Sequence, residues 1–256
     1  MWPTVLGCVA MNDSELIGTR GEVLQVLLDD LHAPRLLPYV HPVYDVSGGG
    51  EPDALASCVL LRRKRDLYLA TAAHVLEDHQ PATSRDATTL YLGGRDGEFH
   101  ALEAEFLTNK KPLDLAVARL TGSLAAAWDL YPALDVDSQL AAGETTGLHF
   151  LLGYPIRRKA FNLDRARNVI RHEAYKYAQV RSPHKKDDEH HFSMLMPRGN
   201  VKSGNKKQTA AFPRGVSGGG VFLLDGPQPM LAGIFIEYQR GERLVATKAN
   251  RIVPLL

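Results

Sequence analysis

Residues 67–75 read Leu-Tyr-Leu-Ala-Thr-Ala-Ala-His-Val, so that His74 follows directly on a short apolar run. The length and composition of this run predict a buried β-strand. Two later segments also place a polar side chain beside an apolar run. Residues 113–117 read Leu-Asp-Leu-Ala-Val, and residues 215–220 read Gly-Val-Ser-Gly-Gly-Gly before further apolar residues. A histidine, an aspartate and a serine therefore stand at the ends of three predicted strands.

The three side chains have complementary chemistry. The Ser217 hydroxyl is a weak nucleophile until a base removes its proton, and the neutral imidazole of His74 suits that task near pH 7. A carboxylate such as Asp114 on the other ring nitrogen fixes the tautomer and stabilises the imidazolium. Glycines around the serine allow a sharp turn and leave amide groups unobstructed. We therefore expect the amides of Gly215 and Ser217 to form an oxyanion hole.

The motifs Thr-Ala-Ala-His, Asp-Leu-Ala-Val and Gly-X-Ser-Gly-Gly, in this order, resemble those of the trypsin-like (chymotrypsin-fold) serine peptidases. The separations suit that family, with 40 residues from His74 to Asp114 and 103 from Asp114 to Ser217. Gly-Tyr-Pro at residues 153–155 resembles a motif of the bacterial branch of the family. The resemblance covers residues 40–256, and it implies that His74 and Asp114 lie on one β-barrel and Ser217 on a second.

Short apolar runs separated by glycine and proline turns continue through most of the chain, which predicts an all-β protein. Together with the resemblance, this predicts two antiparallel six-stranded β-barrels and a short N-terminal extension that is helical over residues 21–31. Residues 57–61 and 67–71 flank a charged tip and predict a hairpin. The predicted boundaries are 1–40 for the extension, 41–125 for the first barrel, 126–142 for a linker and 143–256 for the second barrel.

Chain order excludes two other folds that carry a catalytic serine. Residues 215–219 also satisfy the Gly-X-Ser-X-Gly pattern of α/β-hydrolases, but in that fold the catalytic histidine follows the serine. Residues 218–256 contain no histidine. The subtilisin order, in which the aspartate precedes the histidine and the serine, finds no matching motifs in this chain.

The overall composition is that of an ordinary globular protein. A formal net charge of +1 gives no reason to expect a polyanionic partner. No apolar run approaches the ~20 residues that a membrane-spanning helix needs, and the mildly apolar N-terminus lacks the basic segment of a signal peptide. The two cysteines, Cys8 and Cys58, predict no disulfide framework. We therefore expect a cytoplasmic protein with no membrane partner.

Two charged segments raise the possibility of other ligands. Residues 156–186 contain ten Lys or Arg and two acidic residues, but no aromatic stacking platform accompanies them. A solvated surface beside the substrate cleft is therefore favoured over a nucleic-acid site. Residues 184–191 contain three histidines whose spacing matches no zinc-site pattern, so we expect a solvated loop. We expect no metal and no organic cofactor.

Val216 and Val75 depart from the pattern of the secreted members of the family. Those members carry an aspartate at the position of Val216, which pairs with a new N-terminal amine after cleavage. They often carry a disulfide cysteine after the histidine, where Val75 stands. Both departures favour an intracellular, bacterial-type enzyme. They leave open how the oxyanion hole is held, and whether a regulatory protein that binds residues 1–40 is needed.

The substrate pocket is assigned only by analogy with the family. Ala211, six residues before Ser217, would form the floor of the primary pocket, and Ile236, Glu237 and Tyr238 would border it. An apolar floor disfavours a charged substrate side chain, whereas Glu237 favours a basic one if it points inward. Both preferences stay open at this point.

The resemblance implies a serine endopeptidase that cleaves protein or peptide substrates through an acyl-enzyme intermediate. One alternative is a catalytically silent pseudoprotease that serves as an interaction module in a larger assembly. A second is an esterase or transacylase that uses the same residues. The complete set of histidine, aspartate and serine disfavours the pseudoprotease, because loss of activity usually shows as the loss of one of the three.

Overall fold

The computed structural model describes residues 32–47, 51–77, 89–94, 97–143, 146–156, 161–164, 169–181, 183–184, 187–196, 201–203, 206–208, 213–224, 228–239 and 243–256. The helix predicted over residues 21–31, Cys8 and the predicted pocket residue Ala211 lie outside these ranges. Within them, no helix has the length and apolar character that a membrane span requires.

Among the described residues, the first sheet contains eight strands. It is built from β1 (Val40–Ser47), β2 (Glu51–Arg63), β3 (Asp66–Ala72), β4 (Thr89–Gly93), β5 (Phe99–Ala101), β6 (Phe106–Asn109), β7 (Leu115–Arg119) and β8 (Leu134–Asp135). Its strand order is β5-β4-β1-β2-β3-β7-β6, all antiparallel, and β8 pairs with β2 in parallel. The hairpin predicted from residues 57–61 and 67–71 is confirmed, since β2 and β3 pair around a turn at Lys64.

The second sheet contains six antiparallel strands. Its order is β12-β9-β16-β17-β18-β13, built from β9 (Gly147–Gly153), β12 (Tyr175–Arg181), β13 (His191–Leu195), β16 (Gly220–Leu223), β17 (Met230–Gln239) and β18 (Arg243–Lys248). Two separate ribbons are formed by β10 (Phe161–Asp164) with β11 (Val169–His172) and by β14 (Val201–Ser203) with β15 (Lys206–Gln208).

Helices contribute little to the described chain. They are α1 (Ala33–Leu36), α2 (His74–Glu77) and α3 (Gly122–Trp128), with 3₁₀ turns at Leu37–Tyr39, Ala249–Arg251 and Val253–Leu255. The two α1 side chains Ala33 and Leu36 are fully buried against the sheets. Residues 33–36, within the predicted extension, are therefore part of the core.

One hydrophobic core is shared by both sheets. Val59 and Leu61 of β2 belong to the same buried cluster as Leu152 of β9 and Phe222 of β16, and each is 0% exposed. Burial of a side chain of this size stabilises a fold by about 1.5–3 kcal/mol. Because the cluster is continuous, the two sheets pack against each other and fix the relative positions of the loops at their contact.

The predicted all-β fold with two antiparallel sheets is confirmed. The second sheet has the expected six strands, whereas the first has eight. The additional pairings include β5, which is three residues long, and β8, which is two residues long. Strands of this length are too short to show the alternation of apolar and polar residues on which a sequence prediction depends.

Part of the segment 184–191, which was expected to be a solvated loop, is buried. The Asp187 side chain is 3% exposed and forms an ion pair with Arg181, which is 2% exposed. Asp187 also accepts hydrogen bonds from the amides of His184 and Ser193, at 2.8 and 2.9 Å. A buried charge needs partners of this kind, so Asp187 closes the loop onto β12 and β13.

His41 of β1 is a buried titratable group that does not line the cleft described below. Its ring lies edge-on to Trp128 with 4.6 Å between centroids, and Nε2 donates to the Pro38 carbonyl oxygen at 3.0 Å. Burial lowers the pKa of His41 to about 4, although its backbone hydrogen bonds oppose the shift. His41 is therefore neutral in the folded protein at neutral pH.

This neutral burial predicts a loss of stability in acid. The unfolded chain has a His41 pKa near 6.5, so it binds more protons than the folded chain as the pH falls from 6.5 to about 4. The contribution of neutral His41 to the free energy of unfolding is complete above pH 6.5 and is lost as the pH falls from 6.5 to about 4. His41→Phe keeps the ring contact and removes the titration. Between pH 7 and pH 4, the free energy of unfolding of the wild type should therefore fall by about 2–3 kcal/mol more than that of His41→Phe.

Urea unfolding at pH 7, 5 and 4 measures this difference. Equal losses in the wild type and in His41→Phe would show that another group causes the acid sensitivity.

Candidate active site

His74 and Asp114 are brought together by pairing within the first sheet. Ala72 at the end of β3 lies opposite Leu115 at the start of β7, so the residues that follow and precede these strands are neighbours. His74 Nδ1 lies 2.8 Å from Asp114 Oδ2, and the His74 amide donates to Asp114 Oδ1 at 2.9 Å. The carboxylate can only accept, so Nδ1 carries the proton. The His74 side chain is 43% exposed, which leaves the ring accessible from the cleft.

Asp114 is held in an unusual backbone conformation. Its φ is 48°, in the left-handed region that aspartate tolerates better than most residues. Its amide donates to the Lys110 carbonyl at 3.0 Å, and its carbonyl accepts from the Ala73 amide at 3.1 Å. These two bonds, together with the two bonds to His74, fix the direction of the carboxylate and compensate for the strain.

Ser217 reaches the same cleft from the second sheet. It lies in the loop before β16, and its Oγ donates to the Ile236 carbonyl at 3.2 Å. Ile236 occupies an irregularity in the pairing of β17 with β18, where the register shifts between Phe235 and Glu237. Such a bulge turns a backbone group away from the ladder, here towards the serine.

The cleft has a volume of about 540 Å³ and is lined by all three polar side chains identified from the sequence. The predicted pocket residues Ile236, Glu237 and Tyr238 also line it. Ile156, the first residue of the basic segment expected beside the cleft, lines it too, as does Arg214, which was not among the predicted pocket residues. Ile156 lies 61 residues before Ser217 in the chain, and only the packing of β9 beside β16 brings it there.

The carbonyl groups of residues 214–217 all have donors. Arg214 O accepts a hydrogen bond from the Ile156 amide at 2.8 Å, and Val216 O accepts one from the Gly219 amide at 2.8 Å. Ser57 supplies the other two donors: its Oγ donates to Gly215 O at 3.4 Å, and its amide donates to Ser217 O at 2.8 Å. Within the described residues, the amides of Gly215 and Ser217 have no acceptor, whereas those of Val216, Gly218 and Gly219 do. The two unengaged amides are those that the sequence predicts for the oxyanion hole.

Glycine is required at two positions of this loop. Gly215 and Gly218 have φ of 80° and 85°, in the left-handed region that side chains disfavour. A Cβ on Gly215 would overlap Ile156, and a Cβ on Gly218 would overlap the Ser57 carbonyl oxygen. The loop therefore depends on both backbone freedom and close approach to the first sheet.

Among the described residues, no group of three or more His, Cys, Asp or Glu side chains could hold a metal ion. His184, His190 and His191 form no such group either, and His191 Nδ1 instead lies 3.3 Å from Asp188 Oδ2.

No family model and no curated protein sequence matches this chain. Solved structures do match it. The protease Anisep from Arthrobacter nicotinovorans is 10% identical with a TM-score of 0.51, over 82% of this chain and 90% of that one. A serine endoprotease from Yersinia pestis is 15% identical with a TM-score of 0.50, over 87% of this chain and 62% of that one. A thermostable serine protease from an extremophilic microorganism is 14% identical with a TM-score of 0.48, over 82% and 90%.

These identities are low, so the likeness concerns the fold. The chain has the chymotrypsin-like double β-barrel fold that serine proteases share, which confirms the fold predicted from the three motifs. Its antiparallel sheets, one of them a curled half-barrel, correspond to the two barrels of that fold.

The close approach at Gly218 predicts a large effect of a single methyl group. Gly218→Ala must move the loop away from Ser57, whereas Gly122→Ala meets no atom within 4 Å and has only an unfavourable φ of 58°. Because overpacking adds to strain, we expect the free energy of unfolding to fall by about 1–3 kcal/mol more in Gly218→Ala than in Gly122→Ala. Urea denaturation of the two variants tests this. An equal decrease in the free energy of unfolding of both variants would mean that the close contact of Gly218 with Ser57 adds nothing to the cost of the substitution.

Proposed function

We propose that this chain is a serine endopeptidase in which Ser217 is the nucleophile, His74 the general base and Asp114 the residue that orients it. The observation that carries the proposal is the meeting of two independent parts in one cleft. The bonded His74–Asp114 pair comes from the first sheet, and Ser217 comes from the second, where the amides of Gly215 and Ser217 have no acceptor among the described residues.

The proposed reaction is acyl transfer to the serine and then to water. Ser217 Oγ attacks the carbonyl carbon of a peptide bond while its proton passes to Nε2 of His74, the nitrogen that is not bonded to Asp114. The C–N bond then breaks, and His74 returns the proton to the leaving amine. A water molecule, deprotonated by His74, hydrolyses the acyl-enzyme and restores Ser217. No metal or organic cofactor takes part in these steps.

The amides of Gly215 and Ser217 would stabilise the oxyanion of each tetrahedral intermediate. A donor of this kind contributes about 3–4 kcal/mol to transition-state stabilisation in enzymes where one has been removed. The Ser217 hydroxyl donates to the Ile236 carbonyl in this structure, so attack requires it to rotate towards His74. A substrate amide that donated to Ile236 O would take the place of that hydroxyl and favour the rotation.

A fluorophosphonate probe tests the nucleophile, because it phosphonylates only a serine that a base has activated. We expect labelling of the wild type, and loss of labelling by at least about a thousandfold in Ser217→Ala and His74→Ala. Ser123→Ala is the matched control, because Ser123 is exposed on α3 and does not line the cleft. A folded wild-type protein that resists labelling throughout pH 6 to 9 would refute the proposed activity.

The second candidate is the pseudoprotease, in which the same cleft binds a partner without turnover. The bond from Ser217 Oγ to Ile236 O favours it, since it turns the hydroxyl away from the role of nucleophile. The labelling experiment separates the two candidates. If labelling succeeds, cleavage of esters but not amides in a peptide library would instead favour the esterase or transacylase.

For the substrate, we propose a peptide with a basic residue near the scissile bond. Glu237 is exposed on the wall of the cleft, and its Oε1 accepts from Gln239 Nε2 at 2.5 Å. An amide partner leaves the carboxylate charge uncompensated, so it can attract Lys or Arg. The pocket floor assigned to Ala211 stays a proposal and favours an apolar residue at the cleaved position.

Glu237→Gln removes this charge with little change of shape. In a library of peptides, we expect the preference for Lys or Arg over Gln near the cleaved bond to fall about fivefold or more, which corresponds to about 1 kcal/mol. Glu105→Gln, which alters an exposed carboxylate in a separate groove, is the matched control. An unchanged preference in Glu237→Gln would remove this residue from the substrate site.

We also propose a reducing, cytoplasmic location in a bacterial cell and a regulatory protein that binds the N-terminal extension. Cys58 is a free, fully buried thiol, and burial raises its pKa, so it stays protonated and unreactive. Because α1 belongs to the core, a shortened chain must keep it. A chain that begins at His32 therefore tests whether residues 1–31 have a regulatory role. Full activity of that chain without any partner would count against a regulatory role for residues 1–31.

A further inference from the structure

A three-residue segment that follows β9 connects the first sheet with the loop that carries the nucleophile. The Tyr154 amide donates to Ser57 Oγ at 2.7 Å. Two residues later, the Ile156 amide donates to the Arg214 carbonyl oxygen at 2.8 Å. We call residues 154–156 the strap, because one hydrogen bond joins its first residue to β2 and another joins its last residue to the loop around Ser217.

Ser57 bonds both to the strap and to the loop around Ser217, although it is 0% exposed and does not itself line the cleft. The Tyr154 amide can only donate, so the Ser57 hydroxyl accepts there and directs its own proton to the Gly215 carbonyl at 3.4 Å. The Ser57 amide donates to the Ser217 carbonyl at 2.8 Å. One buried residue therefore contacts the strap and both ends of the oxyanion hole.

His172 of β11 provides a second attachment for the strap. Its Nε2 donates to the Pro155 carbonyl at 2.9 Å, and Tyr44 OH lies 3.3 Å from its Nδ1. Burial lowers the pKa of His172, which favours the neutral ring with one donor and one acceptor nitrogen. Each strap residue is thus bonded through its backbone to a different partner.

The strap determines which way one peptide group faces. In a trans peptide the C=O and the N–H point to opposite sides, so a bond to the Arg214 carbonyl also fixes the direction of the Gly215 amide. Since Ile156 holds that carbonyl, the Gly215 N–H points away from the strap. Without the bond from Ile156 this carbonyl would be held less firmly, and the peptide could turn its oxygen towards the oxyanion, which it would repel.

We infer that Ser57 is a positioning residue that holds the Gly215 amide in the oxyanion hole by anchoring the strap. The inference rests on the proposed serine peptidase function. Ser57 touches neither the substrate nor the reacting atoms.

Ser57→Ala removes both side-chain bonds and creates almost no cavity. We expect the second-order rate of fluorophosphonate labelling at Ser217 to fall about 10- to 100-fold, because part of the oxyanion stabilisation is lost. With the best peptide from the library, kcat should fall by a similar factor while KM stays within about twofold, as expected for an interaction made in the transition state.

Amide hydrogen exchange, followed by NMR, gives a second readout that needs no activity. The Ile156 amide should be protected in the wild type through its bond to Arg214, and this protection should fall about tenfold or more in Ser57→Ala. Ser193→Ala is the matched control. It also removes a buried serine hydroxyl, one that donates to Asp187 Oδ1 at 3.2 Å, but it lies outside the strap. It should change neither the labelling rate nor the protection of Ile156.

The two readouts separate the possible failures. If the wild type is not labelled, the proposed function fails, while loss of Ile156 protection in Ser57→Ala would still establish that Ser57 anchors the strap. Equal labelling rates and unchanged protection in Ser57→Ala would overturn the inference. If Ser57→Ala does not fold, His172→Phe removes the other attachment, and the same decreases in labelling and in Ile156 protection are expected.

Discussion

The backbone contact between Ser57 and the loop around Ser217 is the constraint on which the site depends. The Ser57 amide donates to the Ser217 carbonyl, and the Thr71 hydroxyl holds the Ser57 carbonyl from the other side at 2.8 Å. Gly218 must lie directly against that carbonyl, so the two sheets meet with no side chain between them. Ser57 engages the Gly215 and Ser217 carbonyls of the loop, and the amides of the same two residues have no acceptor among the described residues.

The site combines the His74–Asp114 pair, which lies within one sheet, with Ser217, which comes from the other sheet, and different forces hold each part. His74 and Asp114 meet because β3 and β7 are paired strands, so hydrogen bonds within one sheet determine their geometry. Ser217 meets them only because the sheets pack on a common core that includes Leu61 and Phe222. Loss of core packing would therefore separate Ser217 from His74 while the His74–Asp114 pair stayed intact.

Much of this arrangement could be predicted from the sequence. The strands around residues 67–75 and 215–220 show clear apolar runs, and the chain order of the three polar residues indicated the fold. Other features gave no signal. Asp187 looks like part of a solvated charged loop, and its burial becomes understandable only with Arg181 beside it. The two-residue strand β8 is likewise too short to produce a pattern, and its pairing depends on β2 being in place.

The sequence by itself determined the all-β class, the three polar residues and the glycines that the loop requires, because these depend on residue type and on short-range order. Only the tertiary structure decided how the Gly215 amide is oriented. Ser57, the strap and Arg214 are far apart in the chain, and ordinary residue types carry the bonds between them. A backbone hydrogen bond such as that from Ile156 to Arg214 leaves no mark on the identity of either residue, since every non-proline amide can donate and every carbonyl can accept.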